Sequence, residues 1–492
     1  QGGTAYHTVG LQANGLVYAW GHGNQGQLGN DEYSNSSTLV QVVKGAYSGT
    51  TYLGDDTDNK ITMLGSGRHF SIALATDGTV YTWGYGNWGT LGHNSTSSSD
   101  TPVKVVNGDY SGTSYLGDNS SNKITAVAQG GQHSIALATD GTVYTWGSSD
   151  YGQLGNNSSG DDSDESTPVK VLMGSYSGTT YLGDDSDNKI IAVAAGESHS
   201  IALAADGTVF AWGYGSNGQM GNSNSSENNA VPVKVVSGAY SVGRTSTYLG
   251  DDSDDKITAI SAGTYHSLAL ATDGTVYAWG YGASGSLGYS TTATYNTPVK
   301  VLNGAYSGTT YLGDDSDNKI TAISAGSHSV ALAADGTVYA WGLNSEGQLG
   351  DNSTTNRSTP VKVLDGAYSG TTYLGDDSDN KITAVTAGYL HSASVATDGT
   401  VYAWGRNDEG QLGNSSTTDS STPVKVVGQG GTGYFDMDDV TAPSAPTGLA
   451  ATSYYGGAKL SWTANSESDL AEYYIYYSTD NSTYTKYSDE PT

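Results

Sequence analysis

The stretch His-Ser-Ile-Ala-Leu-Ala-Thr-Asp-Gly-Thr-Val-Tyr-Thr-Trp-Gly, from His133 to Gly147, decides the fold. Its two arms alternate small and large apolar residues, the pattern of half-buried strands. Asp140-Gly141 between them suits a two-residue hairpin, because Gly tolerates positive φ and Asp nearly so. The pair recurs as Asn14-Gly15, Asp77-Gly78, Asp206-Gly207, Asp273-Gly274, Asp335-Gly336 and Asp398-Gly399. A Trp follows every hairpin: Trp20, Trp83, Trp146, Trp212, Trp279, Trp341 and Trp404, at successive distances of 63, 63, 66, 67, 62 and 63 residues. A period of this length, built from the same short strands, marks a repeat architecture.

Two more strands complete the unit. Thr-Pro-Val-Lys-Val supplies an outer strand at Pro102, Pro168, Pro232, Pro298, Pro360 and Pro423, with Leu39 in the first repeat. A Pro at the start of an outer strand sacrifices no ladder bond. Lys-Ile-Thr-Ala-Val, as in Lys123 to Val127, precedes the His strand from the second repeat onward. Four antiparallel strands in each of seven units predict an all-β, seven-bladed β-propeller over residues 1–440. The first repeat opens directly at the His7 strand, and Gly433 to Val440 follows the seventh Pro strand. One blade shared between the two ends is therefore expected to close the ring.

Gly-x-x-His-Ser-x-Ala-Leu, then Asp-Gly-Thr-Val-Tyr-x-Trp-Gly, then Gly-Gln-Leu-Gly resembles the regulator of chromosome condensation repeat. The resemblance covers residues 1–440 and implies the same seven-bladed fold. It leaves function open, because that family includes a nuclear exchange factor for a small GTPase as well as bacterial secreted and surface proteins.

Charge narrows the choice. With 19 basic and 49 acidic residues the chain carries a formal charge of −30, which repels nucleic acid phosphates. It contains no Cys, so disulfides, thiolate metal sites and Cys nucleophiles are excluded. The 69 Gly and 37 Tyr, with charged residues at 14%, give the neutral polar surface common in secreted β-proteins. No apolar stretch has spanning length. No phosphate loop, nucleophile elbow, zinc signature or dinucleotide fingerprint is present, and a non-enzymatic protein is expected.

Between the outer strand of one unit and the next unit lies an insertion, in its fullest form Gly-Ala-Tyr-Ser-Gly-Thr-Thr-Tyr-Leu-Gly-Asp-Asp-Ser-Asp-Asn from Gly304 to Asn318. The acidic ends of its six copies hold 17 of the 49 acidic residues, so one propeller face should be strongly acidic. Carboxylates spaced through a Gly-flanked loop are candidate Ca²⁺ ligands. The candidates are Asp55, Asp56, Asp58, Asp184, Asp185, Asp187, Asp251, Asp252, Asp254, Asp314, Asp315, Asp317, Asp376, Asp377 and Asp379. The competing reading is a solvated turn, since the loops lack the central Gly and distal Glu of a helix-loop-helix site. Paired tyrosines such as Tyr306 and Tyr311 are expected to pin each insertion to its blade.

His7, His69, His133, His199, His266, His328 and His391 take one repeat position each. One per blade lies too far from the next to share an ion, so a hydrogen-bonded structural role is expected. His22 and His93 break the pattern without visible partners.

After Val440 the repeat stops. Residues 441–446 read as a Pro-rich linker, and residues 447–492 resemble the first part of a fibronectin type III domain, a β-sandwich. The expected function is a secreted or cell-surface binding or structural protein, prokaryotic and extracellular: part of an adhesin, surface layer or filament. Its expected partners are other copies of itself or surface proteins and glycans, with no nucleic acid and no membrane insertion. The alternative is a small-GTPase exchange factor or intracellular scaffold.

Overall fold

The computed structural model describes residues 3–437 apart from 161, 179, 225–226, 242–246, 253–254, 309, 369, 371 and 432. Beyond these it describes the backbone of Thr447–Tyr454, Gly457–Thr463, Tyr476–Tyr477 and Thr485–Lys486. Seven sheets follow one another as blades. Six have four antiparallel strands in chain order, as in Ile190–Ala195, His199–Ala204, Val209–Gly213 and Asn229–Lys234 of blade 4. Blade 1 has three among the described residues: His7–Leu11, Val17–Gly21 and Ser36–Gln41.

The outer strand begins three residues before its Pro, not at it. In blade 4, Ala211 pairs with Val233 while Gly213 pairs with Asn229, so a bulge opens opposite Pro232, where its missing N–H breaks no ladder. The Pro carbonyl instead accepts the backbone N–H of the preceding insertion, as from Ala46 to Pro102 at 2.7 Å. Gly45 makes this approach feasible: its φ is +50°, and a Cβ there would stand 2.2 Å from the Pro102 oxygen.

Each hydrophobic cluster is a seam between two blades. Ile72, Leu74 and Val80 of blade 2 pack with Ile124, Ala136 and Trp146 of blade 3. The seventh cluster joins Tyr18 and Trp20 of blade 1 to Val401 and Val426 of blade 7, which closes the ring. A blade alone would expose both faces, so the repeats fold only as neighbours.

At the described residues, ring closure follows the pattern of the other seams. Tyr434 bridges Val427 as Tyr311 bridges Leu302, and Phe435 takes the buried place that Leu312 holds in blade 5. The segment up to Met437 is thus a shortened seventh insertion, and the strand expected to complete blade 1 would begin after it, outside the described residues. It ties the ends together: Ala13 donates to the Met437 carbonyl at 2.9 Å, as Thr76 does to that of Lys60 ahead of the inner strand of blade 2, and Gln12 donates to that of Asp436 at 3.2 Å. Residues 438–440 lie outside the described residues, as does the expected linker 441–446. Beyond them, Thr447–Tyr454 pairs with Gly457–Thr463 and Tyr476–Tyr477 with Thr485–Lys486. The rest of the expected β-sandwich lies outside the described residues.

Candidate interaction face

Each repeat Trp is buried and donates its indole N–H to a backbone carbonyl of the preceding blade: Trp83 to Gln27 at 2.9 Å, Trp146 to Thr90 at 3.0 Å, and Trp20 to Gln411 at 2.9 Å across the closure. A Ser of the same strand pair adds a second donor to that carbonyl, as Ser71 does to Gln27 at 2.9 Å. The repeat histidine of one blade then reaches the Ser of the next: His7 to Ser71 at 2.6 Å, His133 to Ser200 at 2.9 Å, His328 to Ser392 at 2.6 Å. In the first of these chains the Ser71 hydroxyl proton is committed to the Gln27 carbonyl, so His7 Nε2 carries the ring proton and donates. Burial holds these imidazoles neutral, with pKa values pushed down to about 3 for His133, His199 and His328 and to about 4 for His266 and His391.

His69 does not belong to this set. Phe70, not His69, pairs with Gly84 in the register where His133 pairs with Gly147. The strap is therefore missing at the seam between blades 2 and 3, where Ser134 stands 3.5 Å from the Thr90 carbonyl.

Released from the strap, His69 joins residues that occur once. Its ring stacks on Tyr6 at 5.2 Å and lies 5.2 Å from His22. Tyr6 also meets Tyr389 edge-on at 5.0 Å, with the guanidinium groups of Arg68 and Arg406 at 5.7 and 5.9 Å from its centre. Arg68 pairs with Glu197 of blade 4 at 2.9 Å, and His22 Nε2 lies 3.8 Å from Glu409. Burial drives the His69 pKa down to about 4, with His22 and Arg68 adding to it. Glu197 is raised by burial against the opposing pull of Arg68. Tyr265 senses the same group, its hydroxyl raised by burial and by Glu197 and Tyr389. Blades 1, 2, 4, 5 and 7 thus meet here. The N-terminal residues cross this end of the propeller to bring Tyr6 in, as Tyr389 donates to the Ala5 carbonyl at 3.0 Å. Exposed Tyr151, Tyr265 and Tyr281 extend the face outward.

Trp88 owes its position to a single replacement. In blades with Gly-Gln-Leu-Gly, the Gln amide oxygen accepts the N–H two residues earlier, as Gln153 does from Tyr151 at 2.9 Å. Blade 2 has Thr90 instead, whose shorter side chain donates back to the Tyr85 carbonyl at 2.5 Å. The turn flips, and Trp88 takes φ +60°. Ser286 in blade 5 does the same through the Tyr281 carbonyl, leaving Ser284 at φ +66°. The departure from Gln was visible in sequence; its consequence for Trp88 was not.

The candidate calcium residues lie on the opposite face. Asn59 and Asp77 exchange hydrogen bonds at 3.0 Å, so the insertion ends against a hairpin. Asp55 accepts N–H bonds from Thr50, Thr51 and Tyr52 at 2.8–2.9 Å. Burial pushes its carboxyl up, but these donors outweigh burial and hold it below the ordinary value. Asp184, Asp251, Asp314 and Asp376 accept equivalent backbone bonds. Asp56, Asp185 and Asp315 accept from Ser48, Ser177 and Ser307, and each also receives the backbone N–H of Asp58, Asp187 or Asp317. Asp377 receives that of Asp379. Asp252 has the same loop position, and Asp254 lies outside the described residues. Among the described residues, no group of three or more His, Asp or Glu is placed to hold a metal ion. The loop tyrosines do pin the insertions: Tyr306 packs edge-on against Tyr339 at 5.4 Å, and Lys300 sits over Tyr311 at 5.1 Å.

A propeller stapled alike at nearly every seam defines a class of protein. Residues 113–462 match the RCC1-like domain and residues 77–137 the regulator of chromosome condensation (RCC1) repeat; the chain belongs to the RCC1-like domain family. It is 29% identical over 427 residues to the ultraviolet-B receptor UVR8 of Arabidopsis thaliana, covering 86% of this chain and 80% of that one. It is 28% identical over 361 residues to the RCC1 domain-containing protein RUG3, mitochondrial, of the same plant, covering 72% and 67%. Its fold is similar to that of Prp20p from Saccharomyces cerevisiae, a structure described with binding to Gsp1p and histones, at TM-score 0.62 and 21% identity over 85% of this chain and 87% of that one.

These relatives overturn the expectation of an extracellular prokaryotic adhesin, surface-layer or filament protein. They are eukaryotic RCC1-like proteins, one of them mitochondrial by name. Self-association and surface glycans find no support among them, and the alternative reading is the better one. Among the described residues no helix is long and apolar enough to cross a membrane.

Proposed function

We propose that this chain is a non-catalytic, intracellular interaction scaffold whose partner is a protein docking on the face around Tyr6. One observation carries the reading: aromatic, Arg and His side chains that break the repeat gather there from five blades, while the other face is built mainly from copies of one acidic insertion. Arg and Tyr are the side chains that interface hot spots favour, and this face places Arg68 and Arg406 against Tyr6 in a chain with only four Arg. A small GTPase is the first partner to test, because the Saccharomyces relative is described by its binding to Gsp1p. We also propose that residues 447–492 begin a fibronectin type III-like unit, of which the Thr447–Tyr454 and Gly457–Thr463 hairpin is the start.

Titration calorimetry with a nucleotide-free small GTPase tests the function. Arg406→Ala and Tyr265→Ala should weaken binding about tenfold or more, while Asp315→Asn on the opposite face should not. Binding insensitive to the first two variants and lost in the third sinks the reading.

A further inference from the structure

The seam that lacks the histidine strap opens onto this face as a cleft of about 230 Å³. It is lined by Arg68, His69, Phe70, Tyr85, Trp88 and Gln132, among others. Three departures from the repeat meet here. Phe70 replaces the strap histidine, Thr90 replaces Gln, and the flipped turn turns Trp88 out of the repeat geometry at φ +60°. A bulky residue in that conformation is strained, and strain of this kind persists where the surroundings over-determine it, most often at ligand-contacting sites. Tyr85 and Trp88 stand edge-to-face at 5.5 Å, and Tyr85 meets His69 likewise at 6.3 Å.

Size restricts the occupant. Pockets for cofactors and other small molecules run from about 300 to 1,000 Å³, so this cleft holds a single side chain better than a nucleotide. Chemistry restricts it further. Its rings offer edge and face contacts to another aromatic group, and Gln132 brings an amide able to meet a polar ring tip. Arg68, itself held by Glu197 at 2.9 Å, disfavours a cationic side chain. We propose that this cleft is the anchor pocket of the interaction face and takes one aromatic side chain of the partner protein. The proposal rests on the scaffold reading above and names where on that face the binding energy concentrates.

Selection of linear peptides from a displayed random library against the full chain tests it. The expected binders share one Phe, Tyr or Trp, and millimolar N-acetyl-tyrosinamide displaces them while N-acetyl-leucinamide and N-acetyl-lysinamide do not. Trp88→Gly should weaken them tenfold or more without lowering the melting temperature, because Gly is at home at φ +60°. That control separates lost contact from lost folding. Binders without an aromatic residue, binders indifferent to Trp88→Gly, or no binders at all overturn the anchor. Binders lost in Tyr265→Ala but indifferent to Trp88→Gly overturn the anchor and leave the face standing. Binders lost only in Asp315→Asn overturn both.

Discussion

At the scale of single residues, the seams work by stacking several donors on one carbonyl. Comparing seams isolates the indole bond. Trp83→Phe leaves the Gln27 carbonyl with Ser71 at 2.9 Å, whereas Trp146→Phe leaves the Thr90 carbonyl with only a 3.5 Å contact from Ser134. An unsatisfied buried acceptor costs about 1–3 kcal/mol. Trp146→Phe should therefore destabilise more than Trp83→Phe, by about 1 kcal/mol in urea unfolding, although both remove the same ring volume. Equal losses would mean that the Ser hydroxyl contributes nothing at these seams. The assignment of His69 to the strap shows how residue letters mislead. Every true strap histidine stands 13 residues before its Trp, while His69 stands 14 before Trp83 and Phe70 stands 13. Spacing held the answer, since register, not identity, decides which face a side chain takes.

At the scale of the element, the insertion is a self-contained loop closed by its first Asp. Asp55→Ala removes the acceptor of three backbone N–H groups in a largely exposed loop, so a loss of about 1 kcal/mol is expected, with faster amide exchange at Thr51 and Tyr52. Calcium bears on the same carboxylates. Because the first two Asp of these loops already accept donors within the loop, calorimetry at millimolar Ca²⁺ should show no heat and the melting temperature should not move. A stabilisation that chelator reverses would show that the loops rearrange around the ion. The sequence showed Asp positions suited to an ion, but only the folded loop showed where each oxygen points. Acidic runs of this length are compatible with either arrangement.

At the scale of the whole molecule, buried neutral imidazoles make the ring acid-sensitive. His133, His199, His266, His328 and His391 have pKa values near 3 to 4 in the fold against 6.5 in the free side chain, and His7 is lowered in the same sense. Between those limits the unfolded chain binds protons that the folded one refuses. Stability from this source is complete above about pH 6.5 and falls as pH drops toward the folded values, by up to about 1.4 kcal/mol per pH unit for each group. Circular dichroism should show cooperative unfolding above pH 4. His199→Phe, copying what blade 2 does with Phe70, should shift that transition to lower pH relative to its own stability at pH 8. An unshifted transition would place the acid lability elsewhere.

The blade, the number of blades and the two-faced layout were legible in the residues alone, because strand alternation, hairpin dipeptides and a repeated Trp are local signals summed seven times. The sequence also carried the marks of the interaction face as departures from the repeat at His22, Phe70, Trp88, Thr90 and Arg406. What those departures add up to was decided only by the tertiary structure. Arg68 and Glu197 are 129 residues apart in the chain and 2.9 Å apart in space. Tyr6 reaches the same place by crossing the propeller. Ring closure was settled in the same way, since Phe435 fills the seventh seam through contacts with Tyr18 and Trp20 at the far end of the chain. A repeat pattern specifies contacts between neighbours, and a site made from residues of five blades comes into being only when the ring has closed.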